Sequence, residues 1–231
     1  MSIAERYTHL KQSVPPQVTI VLAAKTRSPE EIEEAIDAGA TDIGENYVQE
    51  AEAAHSALGD KAGQVNWHMI GHLQKNKINK ALQVFDVIQT VESLKKAGDI
   101  DKRVPAAKDG AHVLPVYLEV NIGGEETKTG ISPGDYDDFE QHLINVVRGM
   151  TRFEHVRLEG LMTMGPLTSD PEGLRPYFRR VREMFDRIID LGLPHVNMKH
   201  LSMGMTHSYQ VAIEEGANMI RVGTAVFGER K

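Results

Sequence analysis

Eight short runs of strand character, alternating with helical segments along the whole chain, constrain the fold of this sequence more than any other feature. The runs lie at 18–24, 41–43, 66–70, 84–90, 114–122, 157–163, 197–201 and 218–222. The first, Val18-Thr19-Ile20-Val21-Leu22-Ala23-Ala24, is apolar and β-branched at its start. It does not alternate with polar residues, which is the pattern of a strand covered on both faces. The clearest helical pattern spans 172–191, where Leu174, Phe178, Val181, Phe185, Ile188 and Ile189 recur at spacings of three and four until Gly192 and Pro194 stop it. A helix over 29–38 takes Ser28 as N-cap, Pro29 at its first position and Glu31 as a capping-box partner, and ends at Gly39. Another over 206–215 takes Thr206 as N-cap and ends at Gly216. An amphipathic stretch with Ile3, Tyr7 and Leu10 precedes the first strand and is closed by Pro15-Pro16. Eight strand–helix units in 231 residues predict an α/β chain folded as a single (β/α)8 barrel, the TIM-barrel architecture, with an extra N-terminal helix. A doubly wound open sheet is the runner-up. No linker, repeat or low-complexity segment divides the chain, so 1–231 reads as one domain.

Composition narrows the partners. With 41% hydrophobic residues the chain can bury one good core. No apolar run approaches the roughly 20 residues that cross a bilayer, and the start Met1-Ser2-Ile3-Ala4-Glu5-Arg6 lacks the pattern of a signal peptide. A cytoplasmic location is expected, away from membranes. The absence of cysteine removes disulfides, thiolate nucleophiles and thiolate metal sites. A formal charge of −7 argues against nucleic acid, and an anionic ligand would need local donors to overcome that field.

Lys25 stands out as a charged residue at the carboxyl end of the first strand, three residues before a helix cap. In parallel α/β sheets and barrels that position faces the cleft where chemistry occurs. An amine near apolar walls has its pKa lowered toward neutrality, the condition for Schiff-base formation with an aldehyde. At the ends of the other strands lie Gly44-Glu45-Asn46-Tyr47, His72, Asn121, Ser202-Met203-Gly204-Met205 and Arg221-Val222-Gly223-Thr224. The last two suit a phosphate: Gly204 and Gly223 allow close backbone approach, while Ser202 and Thr224 supply hydroxyls. His68 and His72 are poor metal ligands, because the first lies in a strand and no glutamate follows it, so no metal site is expected. Lys75, Lys77 and Lys80 read as a solvated face. The loop Glu125-Glu126-Thr127-Lys128-Thr129-Gly130 lacks Walker spacing.

Six ordered motifs carry a family resemblance: Ala24-Lys25-Thr26, 44–50 (GENYVQE), 67–74 (WHMIGHLQ), 160–166 (GLMTMGP), Leu201-Ser202-Met203-Gly204-Met205 and 221–228 (RVGTAVFG). Over nearly the whole chain the sequence resembles the pyridoxal phosphate homeostasis protein family, the YggS type in bacteria. The resemblance implies a barrel like the N-terminal domain of alanine racemase, with pyridoxal 5′-phosphate as a covalent aldimine on Lys25. It places the phosphate among Ser202, Met203, Gly204, Gly223 and Thr224, sets Arg221 toward the pyridine nitrogen, and lines the pocket with Asn46 and His72. The sequence departs from the common pattern at Ala24, Lys75 and His207-Ser208-Tyr209, none of which is assigned to the cofactor. The implied function is a non-catalytic carrier that takes part in intracellular homeostasis and supply of the cofactor, with free amino acids and apo-enzymes as further partners. The alternative is an amino-acid racemase-like enzyme. Racemisation in the alanine racemase design needs a tyrosine from a C-terminal β domain, and the sequence given stops at Lys231 after the eighth strand, so the carrier reading and a monomer are expected. Tyr47 and His72 are the substitutes for that tyrosine.

Overall fold

In the computed structural model, which describes residues 1–108, 110–133 and 138–229, eight parallel strands close into a barrel in chain order. They are β1 (Thr19–Ala23), β2 (Asp42–Glu45), β3 (Asn66–Met69), β4 (Val87–Val91), β5 (Leu114–Glu119), β6 (Val156–Met162), β7 (Val196–Ser202) and β8 (Met219–Val222). β1 joins the ends of the sheet by pairing with both β2 and β8, so that Val21 lies opposite Asp42 on one side and Arg221 on the other. Between and around the strands run α1 (Ile3–Ser13), α2 (Pro29–Asp37), α3 (Val48–Leu58), α4 (Ile78–Val84), α5 (Leu94–Asp101), α6 (Val104–Ala107), α7 (Phe139–Met150), α8 (Arg175–Asp190), α9 (Tyr209–Glu214) and α10 (Thr224–Phe227). The (β/α)8 barrel and its extra N-terminal helix are as the sequence pattern predicts.

Period-two alternation divides each strand between two interiors. Outward residues such as Leu22, Ile43 and Trp67 join a continuous apolar layer beneath the helices, with Phe85 and Phe178 fully enclosed. Inside the barrel, Val21, Tyr117, Met162 and Met219 form a small separate cluster, and buried Asp42, His68, Gln89, Ser202 and Arg221 occupy the remaining axial space. Truncating a fully enclosed aromatic such as Phe178 to alanine costs roughly 3–5 kcal/mol. The extra helix α1 has the capping box that Ser2 and Glu5 encode and packs against α2 and α10, where the Tyr7 hydroxyl donates to Gly39 O at 3.1 Å.

Local boundaries differ from the sequence pattern where long-range bonds decide them. The run 84–90 begins too early, because Val84 closes α4 and the Asp86 carboxylate accepts from the Trp67 N–H at 2.9 Å before β4 starts. The run 114–122 extends too far. After Glu119 the chain makes one bridge, Val120 to Ile131, and Asn121 turns its side chain to the loop carbonyl of Glu125 at 2.8 Å. The helix expected at 206–215 begins only at Tyr209. Thr206 does not cap it, because the N–H groups of Ser208 and Tyr209 both donate to Met205 O at 2.8 Å and form a turn first. The periodic stretch from 172 opens with a 3-10 turn before α8.

Candidate functional site at the carboxyl ends of the strands

Lys25 follows β1 in a tight turn, with the Arg27 N–H donating to Ala24 O at 2.8 Å. Thr26 adopts a left-handed backbone (φ 66), an outlier for a β-branched residue, and its N–H donates to Glu50 Oε2 at 3.0 Å. The turn is thus held by α3 across the β2 end, and it presents a half-buried Lys25 to a cavity of about 340 Å³. That volume falls in the range of small-molecule sites. Among the described residues the Lys25 amine makes no hydrogen bond or ion pair.

Across the cavity stands Arg221, with Asn46, Gly223 and Thr224 also in its lining. Arg221 is fixed from below: Nη1 donates to Ser202 O at 2.9 Å and Ser202 Oγ at 2.7 Å, and Nη2 donates to Thr163 O at 2.8 Å. Burial lowers its pKa to about 10, against the pull of Glu119, so it remains a cation at neutral pH. The lining also includes Arg27, Ile70, Met164, Met205, Thr206 and His207. Lys25, Arg27 and Arg221 thus meet with no carboxylate among the described lining residues, which makes this lining locally positive in a chain of net charge −7.

The remaining expected residues are placed differently. His72 lines an adjoining cavity of about 360 Å³ that shares Asn46 with the first, and its Nδ1 lies 3.9 Å from Glu92 Oε2. Ser202 and Met203 are fully buried and do not line the Lys25 cavity. The Ser202 hydroxyl points into the barrel, where it donates to Gln89 Oε1 at 2.7 Å and accepts from Arg221 Nη1 at 2.7 Å. Met203 belongs to the outer apolar layer. Gly204, at φ 93, is pressed against α9, where an added Cβ would lie 2.6 Å from Ala212 Cβ. Residues 204 and 221 are nevertheless coupled, because the Arg221 N–H donates to Gly204 O at 3.0 Å.

Sequence reasoning did not single out Arg27, although a second cation two residues after Lys25 and directly before a helix cap is a signal for it. Its guanidinium donates to Gly228 O at 2.5 Å and pairs with Glu31 at 3.6 Å, tying the turn after β1 to the end of α10. Glu45 is the other omission. It is 1% exposed, and its Oε2 has no partner among the described residues. Burial, with repulsion from Glu50, pushes its carboxyl up to about 8, against the pull of the Asn46 N–H and of Lys25. Among the described residues no cluster of His, Asp and Glu is placed to hold a metal ion. No described helix is long and apolar enough to cross a membrane.

Comparison with known proteins gives this geometry its relatives. The profile of the alanine racemase N-terminal domain family matches residues 1–231. A pyridoxal phosphate homeostasis protein from Aquifex aeolicus is 40% identical over 212 residues, covering 90% of this chain and 86% of the relative. The chain belongs to the pyridoxal phosphate homeostasis protein family. A solved structure of PipY from Synechococcus elongatus with PLP bound superposes at a TM-score of 0.84 and 31% identity, covering 98% of this chain and all of that one. Alanine racemase from Clostridium difficile, at 14% identity and a TM-score of 0.77, shares the fold; it covers 99% of this chain and 57% of the racemase.

Proposed function

We propose that this chain binds pyridoxal 5′-phosphate at the carboxyl-end cavity, holds it by a Schiff base on Lys25, and takes part in the cofactor's homeostasis and supply without turnover. The observation that carries this reading is a Lys25 amine without a hydrogen-bond or ion-pair partner among the described residues, opening into a cavity of suitable size whose described lining holds three cations and no carboxylate. The donor set fits an aldehyde that also bears a phosphate. When bound, the cofactor supplies an electrophilic carbon for reversible exchange with amines and a ring that can act as an electron sink.

The chain's own residues bias that chemistry. Arg221, anchored by two carbonyls and a hydroxyl, keeps a positive charge in the cavity. Set toward the pyridine nitrogen, it disfavours ring protonation by like-charge repulsion and so weakens the ring as an electron sink. The Thr224 hydroxyl and the turn at Gly223 offer uncharged donors for the phosphate, while Arg27, bonded to the far end of α10, adds positive potential. Asn46 supplies an amide at the wall shared with the second cavity. The family name of the relatives and the PLP in PipY support the same ligand.

The racemase-like alternative needs a second acid/base facing Lys25. Tyr47 and His72 line the adjoining cavity, whereas His207 reaches the Lys25 cavity from an exposed rim. His207 is therefore the residue on which that alternative rests.

Borohydride reduction tests the proposal. The loaded protein should lose its visible absorbance band and gain the cofactor's mass on the peptide containing Lys25. Equal trapping in Lys25→Ala would defeat the assignment. Incubation with single-enantiomer amino acids should show no turnover above buffer containing free cofactor; saturable, Lys25-dependent racemisation abolished by His207→Ala would establish the alternative.

A further inference from the structure

Between the two mouths of the barrel, buried polar groups form one continuous chain across five strands. Arg221 Nη1 donates to Ser202 Oγ at 2.7 Å, and Ser202 Oγ donates to Gln89 Oε1 at 2.7 Å. Gln89 Nε2 donates to His68 Nδ1 at 2.9 Å, and His68 Nε2 donates to Asp42 Oδ1 at 2.9 Å. A guanidinium has only donors and a carboxylate only acceptors, which leaves two arrangements of the links between them, related by turning over the Gln89 amide. In the arrangement seen, Ser202 accepts from Arg221 and gives its own proton to the Gln89 oxygen. The Gln89 amide nitrogen then faces His68, with Met219 Sδ as a further weak acceptor at 3.3 Å. With that amide orientation the His68 ring accepts at Nδ1 and donates from Nε2. Asp42 and His68 line a cavity of about 270 Å³ at the amino ends of the strands, whereas Arg221 lines the Lys25 cavity at the opposite end.

We infer that His68 and Gln89 are positioning residues for Arg221, and that protonation of His68 from the amino-end mouth is transmitted to the hydroxyl that holds the guanidinium. A proton added at Nδ1 confronts the Gln89 N–H, so the amide must turn over and offer Oε1 to His68. Its NH2 group then meets Ser202 Oγ, which already accepts from Arg221. The serine O–H rotates away from Gln89 with its proton still on Oγ, and Ser202 changes from donor to acceptor toward Gln89. One proton enters from solvent and stays on His68; none leaves. The groups facing His68 are Asp42 from β2, Gln89 from β4, Tyr117 from β5, Glu159 from β6 and His200 from β7. Arg157 and Lys199 pair with Glu159, the latter at 3.1 Å. Asp42 bonds directly to the ring at Nε2, and His200 beside it is held below its ordinary pKa by burial, with His68 a smaller cause against the pull of Glu159.

This inference rests on Arg221 serving the proposed cofactor, so its test has two arms. In the ligand-free protein, nitrogen NMR follows the His68 ring and the Arg221 guanidinium between about pH 5 and pH 8. The expected result is a His68 that starts with its proton on Nε2, and Arg221 signals that shift with the same midpoint. Gln89→Glu keeps the size but accepts from Nδ1, so His68 should stay doubly protonated and the Arg221 step should vanish. Ser202→Ala leaves His68 paired with Gln89, so the ring should still titrate while the Arg221 step is lost. A His68 that never titrates, or Arg221 signals that ignore its titration, overturns the relay. In the second arm, the absorbance band of the PLP-loaded protein should shift with the His68 midpoint, and the shift should be lost in both variants. A bound cofactor whose band ignores that midpoint also overturns the inference. Failure of the wild type to retain PLP overturns the proposed function instead, and leaves the first arm to judge the relay.

Discussion

The two mouths of the barrel solve opposite problems with similar residues. At the amino end, Asp42 accepts hydrogen bonds from His68, Thr41 and Asn66, and Arg157 and Lys199 close on Glu159. Nearly every charge there is spent within the protein. At the carboxyl end, among the described residues, Lys25 has no hydrogen-bond or ion-pair partner, Thr26 is strained, and three cations face a cavity without a carboxylate. Satisfied polar groups stabilise a fold, whereas groups held open by strain and tight turns are available to a ligand. The barrel therefore separates stability from binding by end, in keeping with the general division between the two faces of this architecture.

Removing a group from each mouth should break that comparison in opposite ways, and the largest effect belongs to Lys25. Lys25→Ala should abolish borohydride trapping of PLP while changing unfolding free energy by no more than about 0.5 kcal/mol, as for substitutions away from packed or paired sites. Urea melts and mass spectrometry on the same sample check both halves. A stability loss above roughly 2 kcal/mol would show that Lys25 is a structural residue.

Glu45 sharpens the comparison because it sits at the open end yet is buried. Its carboxyl, ordinarily near 4.5, is pushed up to about 8 in the folded chain, first by burial and then by Glu50. Between those values the folded state holds a proton that the unfolded state has released. Stability must therefore fall as pH rises through that window, by up to about 1.4 kcal/mol per unit. Glu45→Gln should flatten the slope and give a gain on the order of 3–4 kcal/mol by pH 8. Urea melts at pH 5 and pH 8 decide it; parallel pH dependence in both proteins would mean that Glu45 is ionised when folded.

Asp42 has the opposite sign. Burial pushes its carboxyl up, but the bonds from His68, Thr41 and Asn66 outweigh that and hold it below the ordinary carboxylate value. Its contribution is present above the unfolded pKa and lost as pH falls through the folded one. Asp42→Ala should cost about 2–3 kcal/mol at neutral pH, because it strands buried donors, and much less in acid. PLP trapping on Lys25 should survive. Loss of trapping without loss of stability would place Asp42 in the binding site and erase the contrast between the mouths.

The fold was legible because each strand–helix unit is written locally: Ser28, Pro29 and Glu31 start α2, and the periodicity from Leu174 to Ile188 marks α8. Boundaries failed where a distant partner decides them, as when the backbone of Trp67 stops the chain at Asp86. Lys25, Asn46, Arg221, Gly223 and Thr224 could be placed because the end of a barrel strand is itself a position. Ser202 and Met203 lie buried outside that lining, because residue type at a strand end does not tell which of two interiors a side chain enters. The chain from Asp42 through His68, Gln89 and Ser202 to Arg221 has no local signature at all. It takes one residue from each of five strands, and only closure of the barrel brings them together.

Thr26 gives the smallest effect and the finest test of the contrast. A β-branched residue at φ 66 costs roughly 1–2 kcal/mol relative to a relaxed backbone, whereas glycine adopts that conformation freely. Glycine also widens the unfolded ensemble, which returns about 0.5–1 kcal/mol of the gain. Thr26→Gly should therefore stabilise the chain by about 0.5 kcal/mol, since the N–H to Glu50 is retained and the hydroxyl is exposed. At the same time it frees the turn that aims Lys25, so PLP should dissociate several-fold faster. Higher stability with slower or unchanged dissociation would mean that the strained turn does not serve ligand retention, and that the amine is positioned by the cavity walls alone.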